Sequence, residues 1–249
     1  MENMPIKNNV EHCTVSGRLK ISETLLTGIL LTVVGGFLDA YTYLVRGGVF
    51  ANGQTGNLVL LGIRLAERDF RQASYYVFPI LAFLLGVFLT ESIRRHISDG
   101  GFIKWRHIIL ALEILLLTVC FFLPADRTDR VVNVTISFIC ALQTQAFRSL
   151  RGLSYISVMC TGNLRSGVQE LCNYRTSRER RHLVNSRRYF VIVLSFVAGA
   201  SAGALLTESF GHFSLIFPVT LLGVVMILLL LGRRLTDIAD RLGLEWPDR

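Results

Sequence analysis

The sequence predicts an all-α integral membrane fold, and three observations carry that prediction. Just over half of the 249 residues (51%) are hydrophobic, only 18% are charged, and the mean hydropathy is +0.49. A soluble domain of this length needs more polar residue to cover its surface. The apolar residues also fall into six runs, at 24–45, 75–93, 107–123, 131–147, 189–207 and 213–231. Each is about long enough to cross a ~30 Å hydrocarbon core. Finally, the charged residues gather between the runs. Lipid offers no hydrogen-bond partner to an open backbone edge, so the six runs are read as transmembrane helices and none as a strand.

The first 22 residues are polar and hold no apolar core ending in a small-residue cleavage site. The run at 24–45 is therefore a spanning helix that also directs insertion. The net charge of +8 comes from Arg and Lys in short connections, as the positive-inside rule expects, so the bilayer and not a nucleic acid is the expected partner. Cys13, Cys120, Cys140, Cys160 and Cys172 form neither a CxxC pair nor a Cys/His cluster, so no disulfide, metal site or cofactor is expected. HExxH, GxSxG and Walker A patterns are absent, which points away from an enzyme.

Two further segments, 46–66 and 152–171, break the pattern. From Thr55 to Ala66 there is room for a helix of about 18 Å, roughly half a membrane. It follows a Gly/Asn-rich stretch that a straight helix disfavours. Both segments contain the tetrapeptide TGNL, Thr55–Leu58 and Thr161–Leu164, offset by 106. GVFLTE from Gly86 is echoed by GALLTE from Gly203, offset by 117. The longer offset is absorbed by a basic loop at 172–188, and the pattern reads as an internal duplication. The expected architecture is one membrane domain over 1–249. It has a cytoplasmic tail 1–22, repeat one 23–123, repeat two 131–231 and a cytoplasmic tail 232–249. If both broken segments re-enter, each half crosses three times and the halves are inverted by a two-fold axis. If both cross, eight spans result. The charge rule does not separate the two, while the short half-helix and its breakers favour re-entry.

The stretch GGFLDAYTYLVRGGVFANGQTGNLVLLGI, 35–63, resembles the signature of the YoaK-like family of bacterial multi-pass membrane proteins. The likeness extends over most of the chain through the second TGNL and the LTE helix end. It implies a six-span protein of the bacterial inner membrane and brings with it no substrate or known active site. The second copy has Val158 and Cys160 where the first has Asn52 and Gln54, so the two halves are not expected to be functionally equal.

Intramembrane ionisable groups are costly and so mark function by default. Asp39, about two-thirds along the first span, is the leading candidate, either as a proton or cation coupling group or in an ion pair with Arg46 or Arg148. Asn52, Gln54, Thr55, Gly56 and Asn57 would bind a ligand or satisfy the broken backbone, and Thr161, Gly162 and Asn163 are their partners in the second copy. A half-helix starting at mid-depth offers free N–H groups and a positive dipole end. Gln143, Thr144, Gln145 and Arg148 form a polar cluster ending the fourth run, with Gln145 matching Asp39 on the 106 offset. Glu113 is either intramembrane or drawn to the surface by snorkelling. Gly199 and Gly203 predict close helix packing.

Two function classes follow. One is a small secondary transporter or permease for an unknown small solute, with its path between the two half-helices. The other is a non-transporting membrane partner or regulatory subunit whose basic loop docks an acidic partner or anionic lipid. A homo-oligomer is compatible with either.

Overall fold

A computed structural model of the chain describes residues 24–96, 105–150, 153–154 and 160–241. The expected tail at 1–22, residues 242–249 of the expected tail at 232–249, residues 97–104, and residues 152 and 155–159 of the segment 152–171 (Val158 among them) lie outside the described residues. Among the described residues there are eight α-helices: α1 (Leu25–Val45), α2 (Gln54–Ala66), α3 (Phe70–His96), α4 (Trp105–Phe121), α5 (Asp129–Ala146), α6 (Cys160–Ser177), α7 (Arg180–Phe210) and α8 (Ile216–Arg241). A 3-10 turn, Gly211–Leu215, joins the last two. The fold is all-helical apart from one antiparallel hairpin of two-residue strands, β1 (Ser149–Leu150) and β2 (Leu153–Ser154), where no strand was expected.

Three helical stretches, Leu25–Val45, Phe70–His96 and Arg180–Gly232, are long and apolar enough to cross a membrane; the 3-10 turn divides the third. The distribution of apolar side chains fits that reading. Phe78, Leu81, Leu84, Leu85 and Phe88 on α3 and Leu194, Val197 and Leu205 on α7 point outward and are exposed. A soluble protein rarely shows so large a contiguous apolar surface. Inside, Leu31, Phe37 and Leu38 of α1, Ile109, Leu110 and Leu117 of α4, Ile136, Ile139 and Leu142 of α5, and Leu222 and Val225 of α8 form one buried core.

Local chemistry sets the helix ends. Thr24 caps α1 by accepting from the Thr27 amide at 3.3 Å. Pro79 is tolerated within α3, where it costs the Tyr75 carbonyl its usual amide partner. The helices outrun the apolar runs because helix propensity does not stop at the membrane edge. As a result, the expected basic loop at 172–188 is largely absent: its first residues finish α6, its last begin α7, and only Arg178 and Glu179 connect them. The connection between the segment 46–66 and the run at 75–93 likewise shrinks to 67–69, and α8 carries the second tail's first residues on to Arg241.

Two helix pairs dominate the packing, α1 with α7 and α3 with α5. Glycine makes both possible. A Cβ on Gly36 would fall on the Phe196 carbonyl oxygen, and one on Gly199 on that of Val33. A Cβ on Gly203 would sit 2.8 Å from the Phe37 oxygen, and one on Gly86 2.7 Å from the Phe138 oxygen. These are the close backbone approaches expected of small residues between membrane helices.

Candidate functional site

Following α1, Gly47 and Gly48 adopt φ of 85° and 77°, a region glycine enters without steric cost. They turn the chain back along α1. The Asn52 amide donates to Asp39 Oδ1 at 2.7 Å, and Asn52 Nδ2 donates to the Gly35 carbonyl at 3.0 Å. Gly35 is the central residue of α1, so the chain just before α2 lies level with the middle of that helix. Asn57, wholly buried, pairs with Phe50 as a strand would: its Oδ1 accepts from the Phe50 amide at 3.0 Å and its Nδ2 donates to the Phe50 carbonyl at 2.7 Å. Asn57 Nδ2 also donates to Gln54 Oε1, and Gln54 Nε2 donates to the Ala51 carbonyl. The Phe50 ring stacks on Tyr43 and covers Gly56, where a Cβ would lie 2.9 Å from the ring. Thr55 is exposed. The polar residues of the first TGN segment are thus largely spent on the broken backbone.

Asp39 is an anchor for this fold-back. Its carboxylate faces the amide of Asn52, with those of Gly53 and Ala51 also contributing, and it does not form the ion pair considered with Arg46 or Arg148. Arg46, fully buried, instead donates to Tyr41 Oη at 2.9 Å, to the Leu123 and Pro124 carbonyls at 2.9 and 3.0 Å, and to Asp129 Oδ1 at 3.0 Å. Arg148 is exposed.

These contacts fix which way the elements run. Arg46 at the end of α1 meets Asp129 at the start of α5. Arg130 lies over the Tyr75 ring at 3.9 Å, and Gln145 donates to Glu91 at 3.0 Å, so α3 runs parallel to α5. Segment 46–69 therefore leaves and returns at the same end of the bundle. Gly199 meets Val33 and Gly203 meets Phe37, so α7 runs parallel to α1 and starts where α5 stops. Segment 147–179 therefore leaves and returns at the opposite end. α2 packs on α3 and α6 on α7. α2 and α6 are not among the main packed pairs, while Cys160, the first residue of α6, lies within electrostatic range of Asp39, which anchors the approach to α2. In the second copy Asn163 is buried like Asn57, while Thr161 and Gly162 are exposed and Gly162 has open space where a side chain would go.

The glycine contacts also give a second offset. Gly203 meets Phe37 and Ala40, while Gly86 meets Phe138 and Ala141. Compared pair with pair, Phe138 and Ala141 on α5 take the places of Phe37 and Ala40 on α1, an offset of 101 at which Cys140 stands for Asp39, while the TGNL segments keep their offset of 106. The longer chain between α5 and α6, which holds the hairpin, absorbs the difference. Gln143 is buried and donates to the Leu31 carbonyl at 2.9 Å, tying α5 to α1. Gln145 belongs with Glu91, Arg94 and Arg95 at the bundle end.

Of the two places open to Glu113, the structure takes the interior one. Glu113 is the central residue of α4 and is wholly buried, and neither carboxyl oxygen has a hydrogen-bond partner among the described residues. The signal was present: Ile109, Leu110 and Leu117, at helical spacing on either side, put it on the inward face. Asn52 Oδ1, Asn133 Oδ1, Ser137 Oγ and Thr144 Oγ1 are likewise buried without partners among the described residues.

Comparison with known proteins places this geometry in a family. Residues 27–228 match the family model described as protein of unknown function (DUF1275). The UPF0700 transmembrane protein YoaK of Bacillus subtilis (strain 168) is 26% identical over 213 residues, covering 82% of this chain and 92% of that protein. No solved structure matches.

Proposed function

The chain belongs to the DUF1275 family of membrane proteins of unknown function, and from that premise we propose that it is a small-solute secondary transporter or permease of the bacterial inner membrane. The observation that carries the proposal is the pair of broken segments, 46–69 and 147–179, which leave and return at opposite ends of one bundle. Non-helical backbone at membrane depth is tolerated where it is buried in protein or lines a cavity, and oppositely directed broken helices are a recurrent transporter plan. In this reading α1, α3, α4, α5, α7 and α8 are the six spans. The exchange of α1 with α5 and α3 with α7 that maps one glycine-seamed pair on the other is an inverted repeat. Both termini are cytoplasmic, and no enzymatic step is involved.

A second reading, a non-transporting membrane partner, is favoured by one observation: the side chains of Asn52, Gln54 and Asn57 hydrogen-bond to the chain's own backbone. Its docking surface would be the exposed cations Arg175, Arg178, Arg180 and Arg181 at the α6–α7 corner, facing anionic headgroups.

Two measurements test the proposal. Single cysteines replacing Arg68 and Asp126 should react with an impermeant thiol reagent from the periplasm, and one replacing Arg178 from the cytoplasm. Thermal shift of the purified protein against metabolite pools should then identify a stabilising solute, to be followed by uptake in proteoliposomes. Labelling of Arg68→Cys and Arg178→Cys from one side overturns the inverted plan. Absence of both a stabilising solute and uptake gives the second reading the lead.

A further inference from the structure

A carboxyl group in an apolar interior is stable only if it is neutral or finds a partner. Glu113 sits mid-way along α4, wholly buried, with Ile109, Leu110 and Leu117 on its own face and no hydrogen bond to either oxygen among the described residues. The elements packed on α4 offer it no counter-charge at that depth. α8 has no ionisable residue between Ile216 and Gly232, and the 3-10 turn carries only His212. α3 holds Arg71 near its start and Glu91, Arg94, Arg95 and His96 near its end, with Tyr75 and Tyr76 one turn in. α5 holds Asp129 and Arg130 at its start and, level with the core, the thiol of Cys140. On α4 itself Arg106, His107 and Cys120 lie at the ends.

One neighbouring face is nonetheless polar. Asn133, Ser137, Cys140 and Thr144 recur at helical spacing down one stripe of α5, about 16 Å in length. Three of them carry buried oxygens without partners among the described residues. Cys140 lies within electrostatic range of both Glu113 and Asp39 and faces the Asn52 side chain. Asn133 is otherwise held by its Nδ2, which donates to the Arg46 carbonyl at 2.6 Å. Buried polar atoms are almost always paired, so an acid with neither oxygen paired, within electrostatic range of Cys140 on a stripe that holds unpaired oxygens of its own, marks a place where a hydrogen-bonding species comes and goes. A hydrated cation needs several oxygens converging on it, and the leucine and isoleucine around Glu113 do not supply them. A proton needs one.

We propose that Glu113 is an exchangeable proton-binding site, the acid that couples proton movement to the transport cycle, and that Asp39 is a structural anchor of the first broken segment. The proposal rests on the transporter reading for the word coupling, while proton binding at Glu113 is tested without any solute.

The experiment labels the full-length protein in detergent with a hydrophobic carbodiimide, which attacks protonated carboxyls in apolar surroundings, and maps the adduct by mass spectrometry across a pH series. Glu113 should be the labelled carboxyl, with labelling falling about tenfold per pH unit once the acid ionises. Asp39, held by backbone amides, should stay unlabelled. Glu113→Gln should lose the label, melt at the wild-type temperature or above, and lose the part of the wild-type pH dependence of melting that Glu113 contributes. Glu113→Asp should keep a pH-dependent label and serves if the Gln variant does not fold. No label on Glu113, or pH-dependent melting unchanged in Glu113→Gln, overturns the proposal and leaves the transporter reading standing. Failure of solute uptake alone leaves the proton site standing.

Discussion

Asn57→Ala is the sharpest test of what the first TGN motif does. The side chain is wholly buried and makes three hydrogen bonds, at 3.0 Å from the Phe50 amide, 2.7 Å to the Phe50 carbonyl and 3.0 Å to Gln54 Oε1. Truncation removes all three and strands the Phe50 amide and carbonyl in a half-buried loop. With a net worth of about 1 kcal/mol per bond and a larger cost for groups left unpaired, the loss is about 2–4 kcal/mol, or roughly 30- to 700-fold in the folding equilibrium. Asn57→Asp should be as harmful, because it keeps the acceptor for the Phe50 amide but points a carboxylate at the Phe50 carbonyl. Thr55→Ala, at an exposed neighbour, should stay within about 0.5 kcal/mol. Melting of the detergent-solubilised variants ranks the three. Wild-type melting of Asn57→Ala, together with lost binding of a stabilising solute, would refute the structural assignment and make Asn57 a ligand group.

Two further predictions concern the frame around the site. Gly199→Ala should disrupt the α1–α7 pair, because its Cβ has only backbone to displace, while Gly162→Ala should be tolerated in open space; expression and melting of the two variants compare them. Asp129→Asn should cost about 3 kcal/mol or more by leaving the buried Arg46 charge short of its counter-ion, and Arg46→Met with Asp129→Leu should recover much of that loss in the melting temperature.

The parts of the fold legible in the sequence were those written in local chemistry. The start of α2 was placed within one residue, since Gly53 and the run before it exclude a continuous helix. The close packing at Gly199 and Gly203 followed from their spacing. What escaped depended on the third dimension. Asp39 is held by the backbone of a loop that folds back on its own helix, and no side-chain pattern announces a backbone partner. Arg46 reaches Asp129 across 83 residues, past the nearer acids that the sequence offered. The TGNL offset of 106 pairs Gln145 with Asp39, whereas the glycine contacts give 101, because the chain between α5 and α6 is longer than that between α1 and α2. The sequence leaves Glu113 open between the interior and the surface, because burial of a carboxyl depends on which helix covers it, here α5 and α8.

The parallel pairing of α1 with α7 and of α3 with α5 has a consequence for biogenesis. Neither half of the chain contains the main neighbour of its own first helix. When α1 leaves the ribosome, α7 lies roughly 135 residues away and is still to be synthesised. At about 5–20 residues per second that is a wait on the order of ten seconds. During that time the backbone groove around Gly36 is open to lipid, to the insertion machinery or to another nascent chain. Assembly of this protein is therefore a late event, closed by the last third of the polypeptide. A ribosome stalled before α7 should leave behind an inserted but unlocked first half that quality-control proteases recognise.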